Sequence, residues 1–228
     1  MAAAQPLCIS YDAAANARAH ATAVRSAAAR VVVFPEMSLT GYELDAPVLA
    51  VDDPRLAPLV EACADTGALA LAGAPVAGTD GRAHIGVLVV TGTGATVGYH
   101  KMWLGPAEAD RFTPGSDPAV LDVDGWRLGL AVCKDTGIPR HAADTAAAGI
   151  DVYVAGVLEH VQDAAVPDDR ARRVAADHGV PVVIASFAGS TGGGYVETAG
   201  GSGIWAADGE VLTRVGPEIG AIARVTLA

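Results

Sequence analysis

Several runs in this sequence are wholly apolar yet too short to be helices: "VVVF" at 31–34, "VYVAG" at 152–156 and "VVIA" at 182–185. A run of that kind has no polar side to offer to water. It fits a strand buried on both faces, and such a strand needs further layers packed against each of them. The segments between these runs supply candidates for those layers. "AAANARAHATAVRSAAAR" at 13–30 is alanine-rich without Gly or Pro and reads as a helix. "DPRLAPLVEACADTG" and "DDRARRVAADHG" read as two more, stopped at Gly67 and Gly179.

The remaining segments read as strands and turns. "QPLCISYD" reads as a first strand, and "ALALAGAPV", "HIGVLVV" and "TVGYH" as three successive ones. "VLDVDGWRLGLAVC" predicts a hairpin through Asp124–Gly125, and "GSGIWAADGEVLTRVG" another through Asp208–Gly209. A helix is expected after Cys133, with Pro139 in its first turn and Gly149 past its end. "AIARVTL" closes the chain. Helices and strands alternate throughout, without linker or repeat. The expectation is one α/β, or layered α+β, domain over residues 1–228.

Composition narrows the function. Hydrophobic residues make up 51% of the chain and charged residues 18%, which argues against disorder. The net charge of −11 repels phosphate backbones, so nucleic acid is not the expected partner. Cys8, Cys63 and Cys133 are odd in number and far apart, and suggest neither a disulfide framework nor a metal site. "MAAAQPLCISYD" lacks the basic and apolar regions of a secretory leader. No apolar run reaches a membrane span of about 18 residues. A cytoplasmic setting away from membranes is the expectation.

Three apolar runs end in reactive residues: "VVVFPE" in Glu36, "TVGYHK" in Lys101 and "LGLAVC" in Cys133. The chain has only two lysines, and the second, Lys134, follows Cys133 directly. Taken singly, Glu36 reads equally as a solvated turn residue, Lys101 as a surface lysine and Cys133 as a buried hydrophobe. Taken together, they form a chemical set at strand ends, where rigid elements project side chains into an open crevice. A thiol can attack, a carboxylate can take its proton, and an ammonium can stabilise the negative charge that develops.

With these residues in place, the sequence resembles the nitrilase, or carbon–nitrogen hydrolase, superfamily nearly end to end. "VVVFPEMSLTGY" is similar to the family's glutamate segment, "GYHKMWLGPAEADRFTPG" to its lysine segment, and "LGLAVCKDTGIP" to its cysteine segment. "RARRVAADHGVPVVIAS", "GGSGIW" and "DGEVL" resemble its arginine-bearing helix, Gly-Ser strand and final hairpin. The resemblance implies a four-layer α-β-β-α sandwich that assembles into a homodimer or higher homo-oligomer. It also implies hydrolysis of a non-peptide carbon–nitrogen bond through a thioester, with neither metal nor organic cofactor. By position, Glu36 is the expected base, Lys101 the cation beside the oxyanion, Cys133 the nucleophile and Glu108 a second glutamate that holds Lys101 or the substrate. The backbone N–H of Lys134 is the expected second oxyanion donor. Its side chain favours the thiolate if it turns inward and is an ordinary surface residue if it turns outward.

Departures from the family pattern fall at Lys134, at Arg140 in "IPR" and at Ala185 in "VVIAS". They remove familiar partners around the site and point to an atypical pocket. The glycine-rich "GSTGGGYVETAGG" precedes no expected helix, so it reads as a mobile loop at the pocket edge, not a phosphate cradle. The expected substrate is a small-molecule carboxamide. An N-carbamoyl hydrolase and a catalytically silent binding protein are the competing readings.

Overall fold

A computed structural model describes residues 1–227. The chain begins with β1 (Ala2–Ala4), α1 (Ala13–Ala27), β2 (Val31–Val33) and α2 (Ala57–Thr66). Next come β3 (Leu69–Ala77), β4 (Ala83–Thr91), β5 (Gly94–His100), a short α3 (Pro106–Ala109), β6 (Ala119–Val123) and β7 (Trp126–Val132). A 3-10 turn (Cys133–Gly137) leads into α4 (Pro139–Ala147), β8 (Val152–Val157), α5 (Val166–His178) and β9 (Val182–Ser186). Five short strands follow: β10 (Ala188–Gly189), β11 (Thr198–Ala199), β12 (Gly203–Trp205), β13 (Val211–Arg214) and β14 (Ile222–Arg224).

Two six-stranded sheets carry the fold, in the orders β14-β1-β2-β3-β4-β5 and β13-β12-β9-β8-β7-β6. Each has parallel strands at its centre, β1-β2-β3 in one and β7-β8-β9 in the other, with antiparallel strands outside them. The alternation along each strand sets the layers. Val31 and Val33 of β2 face Leu130, Val132 and Val154 of the other sheet in the central core, while Val32 points the opposite way. There it meets Ala17, Ala21 and Val24 of α1 and Leu59 and Cys63 of α2. Ala171, Val174 and Ala175 of α5 cover Tyr153, Ala155 and Ile184 on the outer face of the second sheet. The result is the four-layer α-β-β-α sandwich that the resemblance implies.

Local chemistry explains most element boundaries. Asp12 caps α1 by accepting from the N–H of Ala15 at 2.9 Å. Gly67 and Gly179 end α2 and α5 in the left-handed region, at φ of 68° and 66°. Both expected hairpins form.

The first strand is the exception. It occupies Ala2–Ala4, and the "QPLCISYD" expected to carry it is irregular from Pro6 onward. Pro6 has no N–H to give a ladder. Gln5 turns its side chain to the carbonyls of Gly216 and Glu218 and to the N–H of Ser202. The polar anchor thus stands where the strand was expected to begin.

Candidate active site

Glu36, Lys101 and Cys133 meet between the two sheets. Glu36 lies three residues past β2, while Lys101 directly follows β5 in the same sheet. Cys133 directly follows β7 in the facing sheet. The segment bearing Glu36 is threaded between two glycines. A Cβ on Gly73 of β3 would lie 2.3 Å from the Met37 nitrogen, and one on Gly156 of β8 would lie 2.5 Å from the Phe34 oxygen. Only a bare backbone on both sheets leaves room for that segment.

Lys101 is the hub. Its Nζ donates to Glu36 Oε1 at 2.7 Å and to Glu108 Oε1 and Oε2 at 2.7 and 2.9 Å. Lys101, Glu36 and Glu108 are 1%, 2% and 2% exposed, so these charges are compensated by one another and not by water. Glu108, on α3, also accepts from Tyr42 Oη at 2.6 Å and from the N–H of Gly105.

The electrostatics follow from burial. Desolvation pushes the Glu36 carboxyl up to about 7, against the opposing pull of Lys101. Burial alone would lower the Lys101 pKa, but Glu36, Cys133 and Glu108 outweigh it and hold the ammonium above its ordinary value. Glu108 also loses hydration, yet Lys101 and its other donors hold it below the usual carboxylate range. Burial, and then the charge of Glu36, keep the Cys133 thiol well above its ordinary value. The resting site therefore combines a protonated thiol with a carboxylate poised near neutrality.

Cys133 sits at φ +41°, a left-handed conformation that a side chain adopts only under constraint. Its turn is bound on several sides. Asp135 accepts from the N–H of Val132 (2.9 Å), the N–H of Trp103 (2.9 Å) and Tyr99 Oη (2.8 Å). The Thr136 hydroxyl donates to the Cys133 carbonyl, and Arg173 of α5 donates to the Thr136 carbonyl, each at 2.6 Å.

Behind Asp135 runs a buried polar chain. Tyr99 gives its proton to Asp135, so His141 Nε2 donates to Tyr99 Oη (2.9 Å) and His141 Nδ1 accepts from Tyr153 Oη (2.9 Å). This assigns His141 as the neutral tautomer, in line with a pKa lowered by burial. The thiol itself donates to the Leu158 carbonyl at 3.3 Å.

Lys134 takes neither of its expected orientations. Its Nζ donates to the Leu104 carbonyl at 2.6 Å, tying the cysteine turn to the loop that carries Glu108. Its backbone N–H, second in a 3-10 turn, has no partner within that turn. Arg140 is far from this chemistry, pairing with Asp144 at the surface (3.3 Å, 83% exposed). Ala185 is fully buried in the core between the sheets, where it packs and bonds nothing. The glycine-rich stretch does border the site: Tyr195 packs edge-on to Tyr42, with ring centroids 5.4 Å apart.

Among the described residues, no group of three or more His, Cys, Asp or Glu side chains is placed to hold a metal ion. Nor is any described helix long and apolar enough to cross a membrane.

The family model for carbon-nitrogen hydrolases matches residues 1–228. The chain belongs to the carbon–nitrogen hydrolase family. Among curated members, it is 27% identical over 207 residues to a Pseudomonas protegens protein named "Hydrolase in pqqF 5'region". That match covers 87% of this chain and 72% of the relative. It is 30% identical over 129 residues to an (R)-stereoselective amidase from a Pseudomonas species, covering 54% of this chain and 46% of that one. Among solved structures, the NitN amidase of Nesterenkonia sp. AN1 superposes with a TM-score of 0.87 at 24% identity. The superposition covers all of this chain and 92% of that one, which establishes the shared nitrilase-superfamily fold.

Proposed function

We propose that this carbon–nitrogen hydrolase is an amidase that releases ammonia from a small carboxamide through a thioester on Cys133. The observation that carries the reading is the buried Lys101 ammonium, held 2.7 Å from both Glu36 and Glu108 beside the strained cysteine turn. An ion cluster so desolvated is a poor device for stability alone, since apolar packing of the same volume does as well. Groups with strongly perturbed proton affinity that converge in one place mark chemistry.

Each proton has a place in this mechanism. Cys133 Sγ attacks the carbonyl carbon while its proton passes to Glu36. Lys101 and the backbone N–H of Lys134 stabilise the oxyanion that forms. The carbon–nitrogen bond then breaks, and Glu36 returns the proton to the departing ammonia. A water attacks the thioester and gives a proton to Glu36. The carbon–sulfur bond breaks, the thiolate regains that proton, and the acid leaves. Glu108 keeps Lys101 in position throughout, and its own position is set by Tyr42. The substrate class accords with butyramide, which was captured in a complex with a mutant of the Nesterenkonia amidase.

Ammonia release tests the reading on a panel of short aliphatic amides, ω-amides of dicarboxylic acids, N-carbamoyl amino acids and nitriles. Release from the amides that disappears in Cys133→Ala is the expected result. Release that persists in Cys133→Ala, or comes only from carbamoyl compounds or nitriles, would overturn it.

A further inference from the structure

One residue of the glycine-rich stretch joins the two halves of the site. On one side, Tyr195 meets Tyr42, whose hydroxyl holds Glu108 and through it Lys101. On the other, it stacks flat on His160, with ring centroids 4.0 Å apart and planes 13° apart. His160 lies two residues past Leu158, whose carbonyl receives the Cys133 thiol. The ring therefore spans the gap between the lysine side and the cysteine side. Burial, and then the charges of Cys133, Glu36, Glu159 and Glu108, raise its hydroxyl to about 12.

The segment is moulded to this position. Thr191 Oγ1 accepts from the N–H of Tyr42 at 2.8 Å, and the N–H of Thr191 donates to the Tyr195 carbonyl at 2.8 Å. Two of its glycines are pressed onto the surface that follows Gly41. A Cβ on Gly192 would fall 2.2 Å from the Glu43 carboxylate, and one on Gly193 would fall 2.9 Å from the Tyr42 ring. Gly193 and Gly194 also take positive φ, 65° and 87°. Glycines here let the backbone lie flat, and Tyr195 is the large side chain that this brings over the site. The adjacent Val196 points away and is 84% exposed.

We propose that Tyr195 is the residue that sets acyl-group size, closing the site over Cys133 so that short, unbranched acyl amides fit and bulky ones do not. The proposal rests on the amidase reading for its substrate class. The role as a size barrier does not depend on turnover. An aromatic ring wedged between two others leaves little free volume, and a pocket rejects larger groups far more strongly than smaller ones.

The test separates the two. Alkylation of Cys133, followed on its own peptide by mass spectrometry, is timed with iodoacetamide and with a bulky N-aryl iodoacetamide. Tyr195→Ala is expected to raise the bulky-to-small rate ratio about tenfold, while Tyr195→Phe and Val196→Ser leave it within about twofold. In parallel, the kcat/KM ratio of an arylacetamide to acetamide should rise by a similar factor in Tyr195→Ala. An unchanged alkylation ratio in Tyr195→Ala, or an equal rise in Val196→Ser, overturns the proposal. A shifted alkylation ratio with no ammonia from either amide in the wild type would uphold the size barrier and overturn the amidase reading.

Discussion

The acid–base behaviour of the site is concentrated in Glu36. With its carboxyl raised to about 7 by burial, the protonated form dominates in acid and cannot act as a base. The expected profile is a kcat/KM that rises with pH through about 7 and then levels. A profile flat from about pH 5 to 9 would remove Glu36 from the base role. The same shift has a stability consequence of opposite sign. The folded state binds this proton more tightly than the unfolded chain. The contribution is therefore complete below the ordinary value of 4.5 and lost as pH rises through about 7. Lys101 answers to a different test. Lys101→Met leaves two nearly unexposed carboxylates without their cation, a loss of about 3–5 kcal/mol. Thermal unfolding should show Tm lower by roughly 10 °C at neutral pH. The deficit should shrink in acid, where the carboxylates can protonate. An equal deficit at both pH values would mean that packing, not charge, accounts for it.

Elements bring these residues together, and the two glycine contacts are where the elements can be probed. Gly156→Ala should push the Glu36 segment away from the thiol. About 1–3 kcal/mol of stability should be lost to overpacking, with a fall in kcat of more than about tenfold. Gly67→Ala is the control, since its Cβ meets nothing within 4 Å. It should cost about 1 kcal/mol of backbone strain and leave kcat unchanged. Equal kcat in the two variants, measured on folded protein, would detach the glycine contacts from catalysis. The site was partly legible in the sequence for a reason of the same kind. Glu36, Lys101 and Cys133 each close an apolar run, and strand ends are places that a linear pattern can locate. The Asp135–Tyr99–His141–Tyr153 chain was not legible. It draws on a turn, two strands and a helix that share no spacing. The tie made by the Lys134 side chain was not legible, because the carbonyl it binds, Leu104, belongs to a loop whose path no periodicity reports. The first strand was displaced because Pro6 and the Gln5 anchor override the strand propensity of the residues that follow.

At the scale of the whole molecule, a layered α/β domain was legible in the residues and its four layers in the family resemblance, but the lateral order of the strands was not. Apolar runs without a polar side require covering layers, whereas neighbours within a sheet depend on crossovers that composition does not encode. The net charge of −11 also acts at this scale. Most ion pairs outside the site are surface pairs such as Arg30–Asp124 and Arg25–Asp65, which add little. Self-repulsion should therefore outweigh them. Raising salt from low to physiological strength is expected to lift Tm by a few degrees in differential scanning calorimetry. A fall in Tm would mean that the surface pairs dominate.

Glu36 and Cys133, the proposed base and nucleophile, hang from opposite sheets, and an apolar layer that includes Val31, Val33, Leu130, Val132 and Val154 keeps those sheets apart. That layer works as a gauge block. The reach from Glu36 to Cys133 is machined by the girth of aliphatic side chains that never meet the reactants. A methyl group gained or lost deep in the interior would be felt as a change in the timing of a proton.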